Sequence, residues 1–343
     1  MALRILGRFR YLERSPWLEP IRSDPVKQIC EYLDYSGRDD ALAGGVRMVP
    51  IETPAGAFKV WTKRIGNNPE LRVLLLHGGP GATHEYLAAC DSYLPAAGVE
   101  YYYYYDQLGS AYSDQPDDDS LWELDRFVDE VEQVRQALSL ERDSFVLYGQ
   151  SWGGILAIEY ALAHPGSLKG LVISNMMSDV PAYNAYAQDV IKPTMDQDAL
   201  REIEALESAG EIEDPRYMEL LNEHHYVHHV LRMPPEDWPN PVQRAFATIN
   251  PAIYVSMQEP SELGISRDAK LARWSRFDDL SSINVPTLVI GARYDTMDPA
   301  HMEQMAGRLP LGQYLYCPKG SHLAMYDDQH AYFSGLLDFL GGL

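Results

Sequence analysis

A layered α/β fold, with a mostly parallel sheet flanked by helices and a helical segment inserted before the late strands, is predicted by three features of the sequence. Short apolar runs recur along the chain and end in loops rich in glycine. Stretches with helical spacing lie between these runs. One long stretch, residues 178–277, has no strand-like run and is rich in Glu, Tyr, Met and Pro. Short runs without strict alternation suit strands buried on both faces, and strand–helix alternation implies parallel pairing through right-handed crossovers.

Val46–Thr53 and Phe58–Ile65 alternate roughly by two around Pro54-Ala55-Gly56, the pattern of a β-hairpin. Val73–Leu76 reads as a strand running into His77-Gly78-Gly79-Pro80-Gly81. Val99–Tyr105 runs into Asp106-Gln107, and its five consecutive tyrosines are β-favouring aromatics of a buried strand rather than a binding box. Leu124–Leu138 is helical, with Val128, Val131, Val134 and Leu138 on one stripe. Phe145–Tyr148 is a strand running into Gly149-Gln150-Ser151, and Gly153–Ala163 is a helix closed by His164-Pro165. Leu171–Ser174, Thr287–Ile290 and Tyr314–Cys317 are further strands. The chain therefore divides into an extension over 1–45, a core over 46–177 and 278–343, and a helical cap over 178–277. A cap at that point sits over the C-terminal strand ends, where α/β sheets bind ligands.

Charge and cysteine usage narrow the function. The 343 residues carry 28 Lys and Arg against 50 Asp and Glu, a formal charge of −22. Such a chain repels phosphate backbones and anionic bilayers, so neither nucleic acid nor a membrane is an expected partner. No apolar run is long enough to span a bilayer. Residues 1–30 are basic, with Arg4, Arg8, Arg10, Arg14, Arg22 and Lys27, but have no continuous apolar run or small-residue cleavage site. They read as an extension packing on the main domain. Three widely spaced cysteines, Cys30, Cys90 and Cys317, fit neither a disulfide framework nor a zinc site, and point to a reducing, cytoplasmic setting. The oligomeric state is not fixed by the sequence.

Gly149-Gln150-Ser151-Trp152-Gly153 matches G-x-S-x-G between a strand and a helix, the context of a nucleophile on a tight turn in the α/β-hydrolase fold. A serine nucleophile needs a base, and the base an orienting acid, in the chain order Ser, Asp or Glu, His. Asp295 follows the Thr287–Ile290 strand and His322 follows the Tyr314–Cys317 strand, so both sit on loops where such partners belong. Asp298, on the same loop, is the runner-up acid; Asp279 precedes the strand and is the weaker choice. Gly79, on the loop after an early strand, and Trp152, the residue after the nucleophile, are the candidate backbone donors to an oxyanion. His225 and His229 have the i, i+4 spacing of metal ligands, but H-E-x-x-H is absent and no third ligand is evident. They read as part of a lid helix, with no metal expected.

Together, HGGPG at 77–81, YDQLGSAYSDQP at 105–116, GQSWGG at 149–154, GARYD at 291–295 and GSH at 320–322 resemble the proline iminopeptidases (prolyl aminopeptidases), a family that includes the tricorn-interacting aminopeptidases. The resemblance covers roughly residues 46–343. It implies an α/β-hydrolase with a helical cap and no cofactor, releasing an N-terminal residue, often proline, from peptides or amino-acid amides. It assigns the triad to Ser151, Asp295 and His322 and the oxyanion donors to Gly79 and Trp152. Pro260-Ser261-Glu262-Leu263 resembles the cap segment holding a glutamate that reads the substrate's free amine, which assigns that role to Glu262. Two departures stand out. Thr296 occupies the place of a second glutamate found in tricorn-interacting members, and Ala111 and Tyr112 replace part of a G-x-G-x-S pattern. Strict preference for proline does not follow from the resemblance. The other reading is an amidase, esterase or lactonase of the same fold with no strict need for a free amine.

Overall fold

The computed structural model describes residues 45–66, 70–258 and 260–343. Apart from Gly45, the extension over 1–45 lies outside these residues. Among the described residues, eight strands form one sheet: β1 (Val46–Thr53), β2 (Gly56–Ile65), β3 (Arg72–Leu76), β4 (Glu100–Asp106), β5 (Phe145–Gln150), β6 (Gly170–Ser174), β7 (Thr287–Ala292) and β8 (Gly312–Cys317), in the order β1-β2-β4-β3-β5-β6-β7-β8. The hairpin strand β2 pairs antiparallel with β1 and with β4; every other neighbour pair is parallel. The mostly parallel sheet expected from the apolar runs is present. Its hairpin joins the same sheet through β4.

The central strands alternate between two cores, although their sequences do not alternate in polarity. Leu74, Leu76, Leu147, Leu171, Ile173 and Val289 face one layer. Val73, Leu75, Val146, Tyr148, Val172 and Leu288 face the other. With both faces apolar, β5 and β6 are buried along their whole length. Helices α1 (Leu124–Ala137) and α2 (Trp152–Ala163) cover the first face, and Val128, Val131 and Val134 are the buried stripe of α1. Tyr105 of β4 is fully buried; the side chains of the other four tyrosines lie outside the described set.

Between β6 and β7 the chain is helical: α3 (Val180–Tyr186), α4 (Gln197–Ala209), α5 (Pro215–Leu221), α6 (Val227–His229), α7 (Asn240–Ala247) and α8 (Pro251–Met257). A single antiparallel bridge, Asp179 to Ser275, ties the two ends of this insertion together. Then come α9 (Pro299–Arg308), α10 (Ala324–Asp327) and α11 (Gln329–Gly341). The strand order reverses direction at β3, because β4 lies on one side of it and β5 on the other. The C-terminal ends of β3 and β5 therefore flank a crevice, the place where open α/β sheets bind ligands. Among the described residues, no helix is long and apolar enough to cross a membrane.

Candidate active site

Ser151 sits between β5 and α2 with φ 55° and ψ −128°, a left-handed conformation that a non-glycine residue adopts only when its surroundings enforce it. The flanking glycines show why. A Cβ at Gly149 would overlap the Gly153 carbonyl, and a Cβ at Gly153 would overlap the Leu76 carbonyl. The turn closes only because both positions lack side chains. Ser151 N–H donates to Ser174 O at 3.0 Å, which anchors the turn to β6.

The loops after β7 and β8 bring Asp295 and His322 together. His322 Nδ1 lies 2.8 Å from Asp295 Oδ1. Asp295 is fully buried and its charge is met on both oxygens: Asn175 Nδ2 donates to Oδ2 at 2.7 Å, and Met297 N–H donates to Oδ1 at 3.1 Å. A carboxylate so held accepts the Nδ1 proton, which leaves Nε2 as the basic nitrogen of the ring. Burial opposes charge on His322, but Asp295, by charge and hydrogen bond, and Glu262, by charge, outweigh it, so its pKa lies above the ordinary histidine value. Of the other acids weighed, Asp298 caps α9 through Ala300 N–H, and Asp279 pairs with Arg276; neither reaches the imidazole.

Two clamps hold the loop after β3 against this turn. Gln107 donates to His77 O at 3.1 Å and accepts from Trp152 Nε1 at 2.8 Å. Tyr86 Oη accepts from Gly78 N–H at 2.6 Å. The His77 ring is locked neutral: Nδ1–H donates to Gly78 O and Nε2 accepts from Gln107 N–H, and burial lowers its pKa to about 4. Gly79, with φ 109°, lies on the cavity wall beside Ser151. Trp152 opens α2, in the first turn, where backbone N–H groups have no partner within the helix.

Ser151, His322, Gly79 and Glu262 all line one cavity of about 790 Å³ between the sheet and the inserted helices. The rest of its wall is largely apolar, with Tyr226, Phe246, Ile249 and Val255 from the insertion. Glu262 accepts from Tyr254 Oη at 2.7 Å and from Gln258 Nε2 at 3.2 Å, both on or just after α8. Glu213 is a second carboxylate on the wall, and among the described residues no Lys or Arg lines it. Thr296 is not among the residues lining the cavity, and its Oγ1 lies 3.3 Å from Asp295 Oδ1. His225 Nε2 meets Glu262 O and His229 Nδ1 meets Tyr294 O, so both rings serve packing. Among the described residues no group of three or more His, Cys, Asp or Glu is arranged to hold a metal ion.

The profile of the alpha/beta hydrolase fold family matches residues 72–329. A proline iminopeptidase of Flavobacterium johnsoniae is 52% identical over 85% of this chain and 97% of its own length. One from Elizabethkingia meningoseptica is 50% identical over the same shares. The chain belongs to the proline iminopeptidase family of α/β-hydrolases. A crystal structure of the proline iminopeptidase of Mycobacterium smegmatis superposes with a TM-score of 0.75 at 27% identity, covering 87% of this chain and 98% of that one.

Against that family background, several residues of the site went unread in the sequence. Asn175, which holds Asp295 and also donates to Ser321 O at 3.2 Å, follows a buried strand and carries no motif; its one signal is an amide directly after an apolar run. Tyr86 and Glu213 lie in segments with no motif at all. Tyr254, Gln258 and Glu262 are spaced four apart, a regularity that could have linked them.

Proposed function

We propose that the protein is a serine aminopeptidase releasing an N-terminal residue, proline foremost, from short peptides or amino-acid amides. Ser151 Oγ attacks the carbonyl after the N-terminal residue while His322 Nε2 takes its proton. Asp295 fixes the ring and stabilises its charged form. The N–H groups of Gly79 and Trp152 hold the developing oxyanion. His322 then returns the proton to the leaving amine, and water, activated by the same base, hydrolyses the acyl-enzyme. The substrate's ammonium pairs with Glu262, which Tyr254 and Gln258 hold in place.

The observation that carries this reading is that a carboxylate, Glu262, shares one largely apolar cavity with Ser151 and His322, with no Lys or Arg on its wall among the described residues. Such a cavity favours a charged amine beside an apolar ring and gives an ester lacking an amine nothing to pair with Glu262. The names of the relatives support proline as the residue released. A cytoplasmic setting is supported by Cys90 and Cys317, which are free, buried thiols.

Proline 2-naphthylamide is the direct test. The enzyme should turn it over, Ser151→Ala should lose about a million-fold in kcat, and the N-acetylated substrate should be cleaved at least about a hundredfold more slowly. Equal rates on free and acetylated substrates would remove Glu262 as an amine receptor.

A further inference from the structure

Three segments that meet at the proposed site, the loop after β3, the turn at Ser151 and the loop after β8, are joined by one continuous chain of hydrogen bonds. Gly78 N–H donates to Tyr86 Oη at 2.6 Å, Tyr86 Oη–H donates to Gln150 Oε1 at 2.6 Å, and Gln150 Nε2–H donates to His322 O at 3.1 Å. Tyr86 and Gln150 lie on the cavity wall but are almost fully buried, at 4% and 1% exposure, which strengthens these bonds.

The direction of the chain is fixed. The His322 carbonyl can only accept, so the Gln150 amide turns its nitrogen toward it and its oxygen toward Tyr86. Tyr86 has one proton, given to Gln150, and an acceptor lone pair, taken by Gly78 N–H. Burial pushes the Tyr86 phenol far above its ordinary pKa, so the proton is always present. The contact is also close: a Cβ on Gly78 would come within 2.9 Å of Ser151 Cβ and 3.1 Å of Tyr86 Oη. With Gly78 N–H committed to Tyr86, the next amide on the loop, Gly79 N–H, is the one left for the cavity.

We infer that Tyr86 and Gln150 are positioning residues that set the oxyanion loop and the His322 backbone relative to Ser151 as a single unit. Neither touches the reacting atoms in this role. The inference rests on the proposed serine hydrolase reading but not on its substrate.

Tyr86→Phe deletes one oxygen, and Gln150→Met removes both polar ends at nearly constant volume. Each variant and the double variant are compared with wild type for kcat and KM on proline 2-naphthylamide, per active site counted by exhaustive fluorophosphonate labelling. The second-order rate of that labelling is measured in parallel. Each single variant should lose about tenfold to a hundredfold in kcat and in labelling rate, with KM within about twofold, because alignment matters in the transition state and not in the ground state. The double variant should be about as slow as the slower single variant, since one break opens the chain. Unchanged kcat per labelled site, or losses that multiply in the double variant, would overturn the inference. If wild type labels readily but leaves the naphthylamide intact, the aminopeptidase reading fails, and the labelling rates alone still decide the role of the chain.

Discussion

At Ser151 the backbone, and at His322 the protonation equilibrium, departs from what the residue type prefers, and in each case named neighbours are responsible. Gly149 and Gly153 leave the space that a serine at φ 55° needs. Asp295 and Glu262 favour the charged form of an imidazole that burial would keep neutral. The sign of the second effect has a consequence. A base works only when neutral, so a raised pKa moves the acid limb of reactivity upward, above the ordinary histidine value of about 6.5. Removing the Glu262 charge should move it back down. The rate of fluorophosphonate labelling against pH checks this without an amine on the probe: the midpoint in Glu262→Gln should lie below that of wild type, and an unmoved midpoint would mean Glu262 does not act on His322.

At the scale of elements, β4 and the turn after it are pinned to α1 by one buried carboxylate, that of Glu130. Arg126 pairs with Glu130 four residues on, and Glu130 also accepts from Tyr105 Oη and, at 3.0 Å, from Leu108 N–H. Glu130 is 1% exposed. Glu130→Ala would leave a buried guanidinium unpaired and two donors without an acceptor, so it should cost about 3–5 kcal/mol, read as a lower urea midpoint with intact activity in the folded fraction. The apolar stripe of α1 was legible because it repeats with the helical period. Glu130 falls between its stripe positions, among the residues a helix normally turns to water, and its burial comes from Tyr105 and Arg126, which the helical pattern does not encode. The same limit applied at α2, whose first residue, Trp152, lies one position ahead of the helix read from Gly153. A helix start is set by the turn that feeds it, here the strained one at Ser151.

For the whole molecule, the inserted helices decide what can enter. They supply most of a cavity whose wall carries Glu213 and Glu262 and, among the described residues, no Lys or Arg, in a chain of charge −22. A free C-terminal carboxylate inside it meets the like charge of these two acids. Prolyl-leucine amide should therefore be cleaved with a kcat/KM about tenfold above that of the free dipeptide, a difference of about 1.4 kcal/mol. Competition between the two should show the gap narrowing as salt is added. Equal efficiency at low salt would mean the carboxylate leaves the cavity for solvent.

By itself the sequence determined the α/β class, the strands and principal core helices, the helical stretch between β6 and β7, and the three loops bearing Ser151, Asp295 and His322. These follow from local rules: apolar runs for strands buried on both faces, period for helices, and small residues for a tight turn before a helix. Tertiary structure decided the rest. Which strands are neighbours, that Asn175 meets Asp295 across 120 residues, that Gln150 meets His322 across 172, and that Thr296 Oγ1 meets Asp295 all depend on where separate loops arrive. Local pattern carries no information on such meetings, because they are set by the packing of the sheet and the cap, and not by any residue's own neighbours in the chain.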